Sequence, residues 1–133
     1  MELNSRRLTY EDYDTLIDWW KSWPDWVPLG RNLLPEDGTG GIMIERDGVP
    51  IVAGFLYSTN SKIAWMEWIV SNPKEKNKSD AILLLISSLE HWAKEGGFEV
   101  VLSIGRSKSL IEKHKTLGYT VDENPSYEII KKI

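Results

Sequence analysis

Glu67 is the one charge in the run Trp65-Met66-Glu67-Trp68-Ile69-Val70. A carboxylate set among apolar side chains is partly desolvated, which raises its pKa and suits it to taking up a proton. Period-two alternation puts it on one strand face with Trp65 and Ile69. The chain then passes through the polar loop Ser71-Asn72-Pro73-Lys74-Glu75-Lys76-Asn77-Lys78-Ser79-Asp80 into the apolar-periodic stretch that begins Ala81-Ile82-Leu83-Leu84-Leu85-Ile86. A strand that feeds a helix through a short loop leaves unpaired N–H groups at the helix start, where the helix dipole also favours anions. Lys74, Lys76 and Lys78 add positive charge there. The chemistry indicated is a proton acceptor on the strand and an anion site, for a phosphate above all, at the start of the helix.

Tryptophan is the compositional outlier, with seven residues of which six cluster, Trp19, Trp20, Trp23 and Trp26 in one stretch and Trp65 and Trp68 in another. About half are expected in the core. The rest are expected to line a groove, because a small core cannot readily enclose so many indoles with every N–H satisfied. Other chemistries are disfavoured by composition. The absence of cysteine removes disulfides, thiolate metal sites and a cysteine nucleophile, and two histidines make a poor basis for a metal site. A net charge of −4 argues against a broad nucleic-acid surface. No apolar run approaches the ~20 residues of a membrane span, and the first residues lack a signal-peptide pattern, so a cytoplasmic location without membrane partners is expected.

The 133 residues, 41% apolar and 27% charged, suit a single domain over 1–133. Residues 2–8 predict a weak first strand. Thr9 with Asp12 reads as a capping box ahead of a helix over 10–23, whose face is Tyr13, Leu16, Ile17 and Trp20. Pro24 ends it, and the prolines and glycines of 24–40 predict irregular loop with one short helical turn. Strands are expected over 42–46 and 49–57, joined by Asp47-Gly48, and a third over 62–70 completes an antiparallel meander. After the polar loop, Ile82, Leu85, Ile86, Leu89, Trp92 and Ala93 share a helical face that Gly96-Gly97 terminates. A strand over 98–104 should lie parallel to the one ending at Val70. A helix over 107–117 and a last strand over about 126–130 complete the order.

This β-α-loop-β-β-β-α-β-α-β order, with its strand-loop-helix centre and a closing helix that ends Leu117-Gly118-Tyr119, resembles the GNAT superfamily of N-acetyltransferases over nearly the whole chain. The resemblance implies an α+β fold with a mostly antiparallel central sheet, helices on both faces and a splay between two central parallel strands. Lys76-Asn77-Lys78-Ser79-Asp80-Ala81 falls where that family has an Arg/Gln-x-x-Gly-x-Gly/Ala loop around the pyrophosphate of acetyl-coenzyme A. Lys76 stands for Arg or Gln, Ser79 for the glycine, and Ala81 is of a permitted type; Asp80 must then turn toward solvent. Ile69, Val70 and Ser71 would pair with the pantetheine arm, and Ser107 stands where the family often has an asparagine that contacts the coenzyme. In the roles the resemblance implies, Glu67 is the general base. His114, in the place of a family tyrosine, is the general acid. Trp23 and Trp26, with Trp65, are the expected acceptor-binding residues.

The expected activity is acetyl transfer by direct attack of a primary amine on acetyl-coenzyme A, the amine belonging to a small molecule, peptide or protein. The chain would act as a monomer or homodimer, with no nucleic-acid partner and no metal. The tryptophan-rich first helix, Leu33-Leu34-Pro35 and Val70-Ser71-Asn72-Pro73 look like compact members encoded by bacteriophages, for which the location would be the host cytoplasm. The alternative is a GNAT-fold protein without catalysis, which binds the coenzyme or a partner or serves as a phage structural component.

Overall fold

The structure, a computed structural model, describes residues 2–24 and 26–133. Asp47 and Gly48 both take positive φ, 52° and 80°, which makes the two-residue turn whose twist matches that of paired strands. It joins β2 (Gly41–Arg46) to β3 (Val49–Tyr57), and β4 (Ile63–Ser71) returns antiparallel on the far edge of β3. β1 (Leu3–Arg7) pairs antiparallel with β2, and β5 (Val100–Ser103) pairs parallel with β4, so the five strands lie in sequence order. The parallel pair requires a crossover, which α2 (Ser79–Glu95) supplies.

Each face of the sheet carries a helix, because the central strands β2, β3 and β4 have apolar residues on both sides. α1 (Asp12–Ser22) buries Leu16, Trp19 and Trp20 against Met43, Ala53, Phe55 and Val70, with Trp20 stacked on Phe55 at 6.5 Å between ring centroids. On the other face α2 buries Ala81, Leu85, Ile86, Leu89 and Ala93 against Ile42, Ile44, Val52, Leu56 and Met66. α3 (Lys108–Thr116) joins that second layer through Leu110 and the following Leu117. The start of α1 is fixed much as its sequence signature suggests. Asp12 accepts from the Thr9 N–H at 2.7 Å and from both terminal nitrogens of Arg6, at 2.8 and 3.0 Å. Burial works to raise the Asp12 pKa, but those bonds outweigh it and hold the carboxyl below its usual range.

The segment 26–40 contains one short 3-10 turn, Arg31–Leu33, as expected, followed by a tight turn over Pro35–Gly38 in which Glu36 and Asp37 take left-handed φ of 49° and 53°. Two tyrosine hydroxyls anchor it, Tyr13 donating to the Leu29 carbonyl at 2.6 Å and Tyr57 to that of Leu33 at 2.9 Å. The strand expected over 126–130 does not form. Tyr127 and Ile129 are 91% and 93% exposed, and a lone extended segment without a ladder partner has nothing to offset its backbone entropy. No helix among the described residues is long and apolar enough to cross a membrane.

Candidate functional site

The sheet opens at one place. β4 and β5 are in register from Ile63 beside Val100 to Met66 beside Ser103, where β5 ends. β4 runs on to Ser71, still paired with β3, so residues 67–71 present a strand edge with no strand against it. A bulge turns this half of β4. Phe55 lies opposite Glu67 and Ala53 opposite Val70, which leaves Trp68 and Ile69 together facing Gly54, and Trp68 sits at φ 58°. Gly54 gives the bulge room, since a Cβ would lie 3.1 Å from the Ile69 side chain and 3.2 Å from that of Leu89, and both would have to give way by a few tenths of an ångström. Bulges bend a strand and sharpen its twist, which is how β4 comes to leave β5.

The bulge corrects one expectation. Trp65 and Glu67 do share a face, since their partners Tyr57 and Phe55 both belong to the α1 side. Ile69 is thrown to the α2 side, where it packs near Leu85 and Leu89, and Trp68 takes its place beside Glu67. A strict period of two cannot cross an inserted residue.

Glu67 therefore stands at the apex of the opening, with its side chain only 16% exposed. Burial raises its pKa above the usual value; Arg106, 3.8 Å away, pulls it down, and Glu128 pushes it up. The Trp68 indole donates to the Tyr57 hydroxyl at 2.8 Å, and that hydroxyl donates to the Leu33 carbonyl, so both rings are held in place. Arg106 follows β5 and sets its guanidinium 5.1 Å from the centre of the Trp68 ring. Trp68, Tyr57 and Arg106 were not among the expected acceptor residues. The signal that could have found Trp68 was its neighbour Glu67, had the bulge been visible.

The far end of the free edge is also furnished. Lys78 reaches back and donates to the Ser71 hydroxyl at 3.1 Å and the Asn72 carbonyl at 3.0 Å, and the Trp23 indole donates to the Ser71 carbonyl at 3.1 Å. Burial lowers the Lys78 pKa from its ordinary value, with Glu75 opposing. Trp23 thus lies at the loop end of β4, four residues or about 13 Å along the strand from Glu67. Trp65 lies at the Glu67 end, and Trp26 is half-buried in the layer under α1 with Tyr57 and Trp68. Of the three expected acceptor indoles, Trp23 thus lies at the loop end, while Trp26 shares a layer with the Tyr57 and Trp68 rings at the Glu67 end.

In the loop, Asn77 takes the left-handed conformation at φ 55°, the position that favours glycine, and Lys76 and Ser79 are exposed. Ala81 is buried at the first turn of α2, where the Ser79 and Asp80 amides have no acceptor within the helix. The third amide is taken: Asp80 accepts from the Ala81 N–H at 2.8 Å and is ion-paired with Arg46. Asp80 does turn outward, its side chain 60% exposed, yet it occupies one donor of the anion site.

Ser107 caps α3, accepting from the Leu110 N–H at 3.1 Å. His114 is buried, and both of its ring nitrogens are engaged, Nδ1 with the Leu110 carbonyl at 2.8 Å and Nε2 with the Ser103 hydroxyl at 2.9 Å. A carbonyl only accepts, so Nδ1 carries a hydrogen, and Nε2 is hydrogen-bonded to the Ser103 hydroxyl. Tyr119 meets the ring edge-on at 5.1 Å. This geometry ties α3 to β5 at Ser103, the last residue of β5 paired with β4.

No family model and no curated protein matches the sequence. The likeness lies in the architecture. A Trypanosoma brucei acetyltransferase superposes with a TM-score of 0.67 at 14% identity, over 97% of this chain and 100% of the other. AAC(6')-Iy, solved with the bisubstrate analog CoA-S-monomethyl-acetylneamine, gives 0.66 at 16% identity over 99% and 100%. YncA, a putative acetyltransferase of Salmonella typhimurium solved with its cofactor acetyl-CoA, gives 0.68 at 18% over 90% and 80%. The chain has the GNAT-type acetyltransferase fold. Within that fold this chain places the opened parallel pair β4–β5, the bulge at Trp68 and the loop before α2.

Proposed function

We propose that this protein is an N-acetyltransferase that takes acetyl-coenzyme A and a primary amine into the opening between β4 and β5. The observation that carries the reading is the position of Glu67, half-buried at the point where the two strands part, with a free strand edge running from it to a basic loop and a helix start. Acetyltransferases of this architecture have been solved with coenzyme A compounds bound.

The residues fit the coenzyme in kind. Ile69 and Val70 lie on the unpaired edge of β4, where an extended pantetheine arm could add as a strand does. The Ser71 carbonyl is committed to Trp23, so pairing there would use the remaining groups. The Ser79 and Asp80 amides, with Lys76 and Lys78, supply donors and charge for the pyrophosphate, around Asn77 and against the small Ala81. Acetyl-coenzyme A supplies a thioester, whose carbonyl carbon the amine attacks and whose sulfur leaves with a proton.

What the chain itself contributes is handling of the amine. An ammonium must lose a proton before its nitrogen can attack, and Glu67 is placed to take it, its raised pKa making it a better base than a solvated carboxylate. Trp65, Trp68 and Tyr57 wall that end and keep water from Glu67, and aromatic faces attract an approaching cation.

Thiol release from acetyl-coenzyme A, followed over a panel of primary amines, tests this. Wild type should turn over with at least one amine, and Glu67→Gln should lose about 10²- to 10⁴-fold, the range for one positioned proton acceptor. An unchanged rate in Glu67→Gln would remove Glu67 from the chemistry. Coenzyme binding without thiol release across the panel would instead support the non-catalytic, coenzyme-binding reading.

A further inference from the structure

Arg106 is the least expected member of the cluster at the apex. Its guanidinium stands over Trp68, its Nη2 lies 2.7 Å from a Glu128 carboxylate oxygen and 3.8 Å from Glu67, and the side chain is 36% exposed. Glu128 arrives on the chain's last segment, which has no secondary structure, and its neighbours Tyr127 and Ile129 are almost fully exposed. The tail therefore adds little packing to that contact. A carboxylate on such a segment, held by one arginine in a partly exposed pair, is readily exchanged for another carboxylate, since a pair of this kind contributes little.

The arrangement also poses a problem that a substrate must solve. An amine that approaches Glu67 as an ammonium meets the Arg106 cation beside it, and like charges at such spacing repel. A carboxylate on the acceptor would lie against Arg106, cancel the repulsion and place alternating charges around the site, Glu67 beside the ammonium and Arg106 beside the carboxylate. The two groups must be close together on the acceptor, because their two partners are only 3.8 Å apart. An arginine also presents a planar fork that matches a carboxylate.

From this geometry we propose that Arg106 binds a carboxylate of the acceptor, that the amine acetylated here is that of an α-amino acid, and that Glu128 holds the carboxylate's place in its absence. The proposal rests on the transfer reading above for the fate of the amine. The aromatic wall of Trp68 and Tyr57 suits an apolar side chain on that amino acid.

Calorimetric titration of the full chain, with and without saturating coenzyme A, separates the two ideas. The probes are phenylalanine and leucine, their decarboxylated amines phenethylamine and isoamylamine, and the matching acids without the amine. At least one of the two amino acids should bind ten-fold or more tighter than both its amine and its acid. Arg106→Gln should bring amino acid and amine within about threefold, and Glu128→Gln, which leaves Arg106 in place, should tighten the amino acid several-fold. Equal affinities for amino acid and amine in wild type, no binding of either amino acid, or a ratio that survives Arg106→Gln would overturn the carboxylate site. If the amino-acid preference appears while coenzyme A itself fails to bind, the transfer reading falls and the carboxylate site stands.

Discussion

At Glu67 three influences compete, burial and Glu128 holding the proton on and Arg106 drawing it off, with burial the largest. The sign follows directly. A general base works ionised, so the rate should rise with pH along a limb centred above the ordinary carboxylate range of roughly 4. Arg106→Ala should move that limb to higher pH and Glu128→Gln to lower pH, measured as kcat/KM against pH for the best amine. Limbs that coincide in all three proteins would detach Glu67 from the rate. Because its folded pKa is raised, Glu67 subtracts stability as pH rises from its unfolded to its folded value, so Glu67→Gln should be no less stable than wild type at pH 7.

His114 leads to the opposite expectation. Its removal leaves a cavity between α3 and β5 and strips two hydrogen bonds, so His114→Ala should cost about 2–4 kcal/mol in a denaturant titration. The thiol-release rate per folded molecule should stay within threefold. A well-folded variant slowed a hundredfold would return His114 to the chemistry. The carboxylate at residue 67 was legible as an isolated charge in an apolar strand, whereas the burial of His114 was not, because a histidine on a helix face looks alike whether it faces solvent or a neighbouring strand.

Among the elements, the hairpin at Asp47-Gly48 and the start of α1 at Thr9 and Asp12 were readable because their residues suit those backbone conformations or bonds. The bulge was hidden for the converse reason. Trp68 adopts a positive φ that a bulky side chain disfavours, held there by the indole bond to Tyr57 and by Gly54 opposite, both distant in sequence. The loop before α2 is an intermediate case. Asn77 does what a glycine would do, and Asp80 points outward as required, but the bond from Ala81 to Asp80 could not be read from spacing. Asp80 points outward but still occupies an amide of the helix start and keeps a negative charge beside it. Asp80→Asn should therefore tighten acetyl-coenzyme A binding several-fold in a calorimetric titration, and a weakened affinity would show that the ion pair with Arg46 is needed to shape the loop.

Across the whole molecule, the antiparallel meander and the parallel pair followed from hydrophobic periodicity and turn residues, each spread over many positions, whereas the helices on both faces were what the family resemblance implied. The missing strand at 126–130 marks the limit of that logic. Its residues have the composition of a strand, but a strand is completed by a neighbour, and here Glu128 reaches only Arg106. The gathering of Glu67, Trp68, Arg106 and Glu128 was likewise beyond spacing, because it joins three segments that meet only once the sheet has closed and opened again at Met66 and Ser103.

The central claim, that the β4–β5 opening receives acetyl-coenzyme A with Glu67 at its apex, is tested most directly by amide NMR during a titration with that compound. The largest shifts should fall on residues 67–71, on 77–81 at the start of α2 and on 103–106 after β5. Shifts confined to another surface, such as the groove between β1 and α2 lined by Arg7, Ser88, His91 and Trp92, would contradict it, as would none at millimolar ligand.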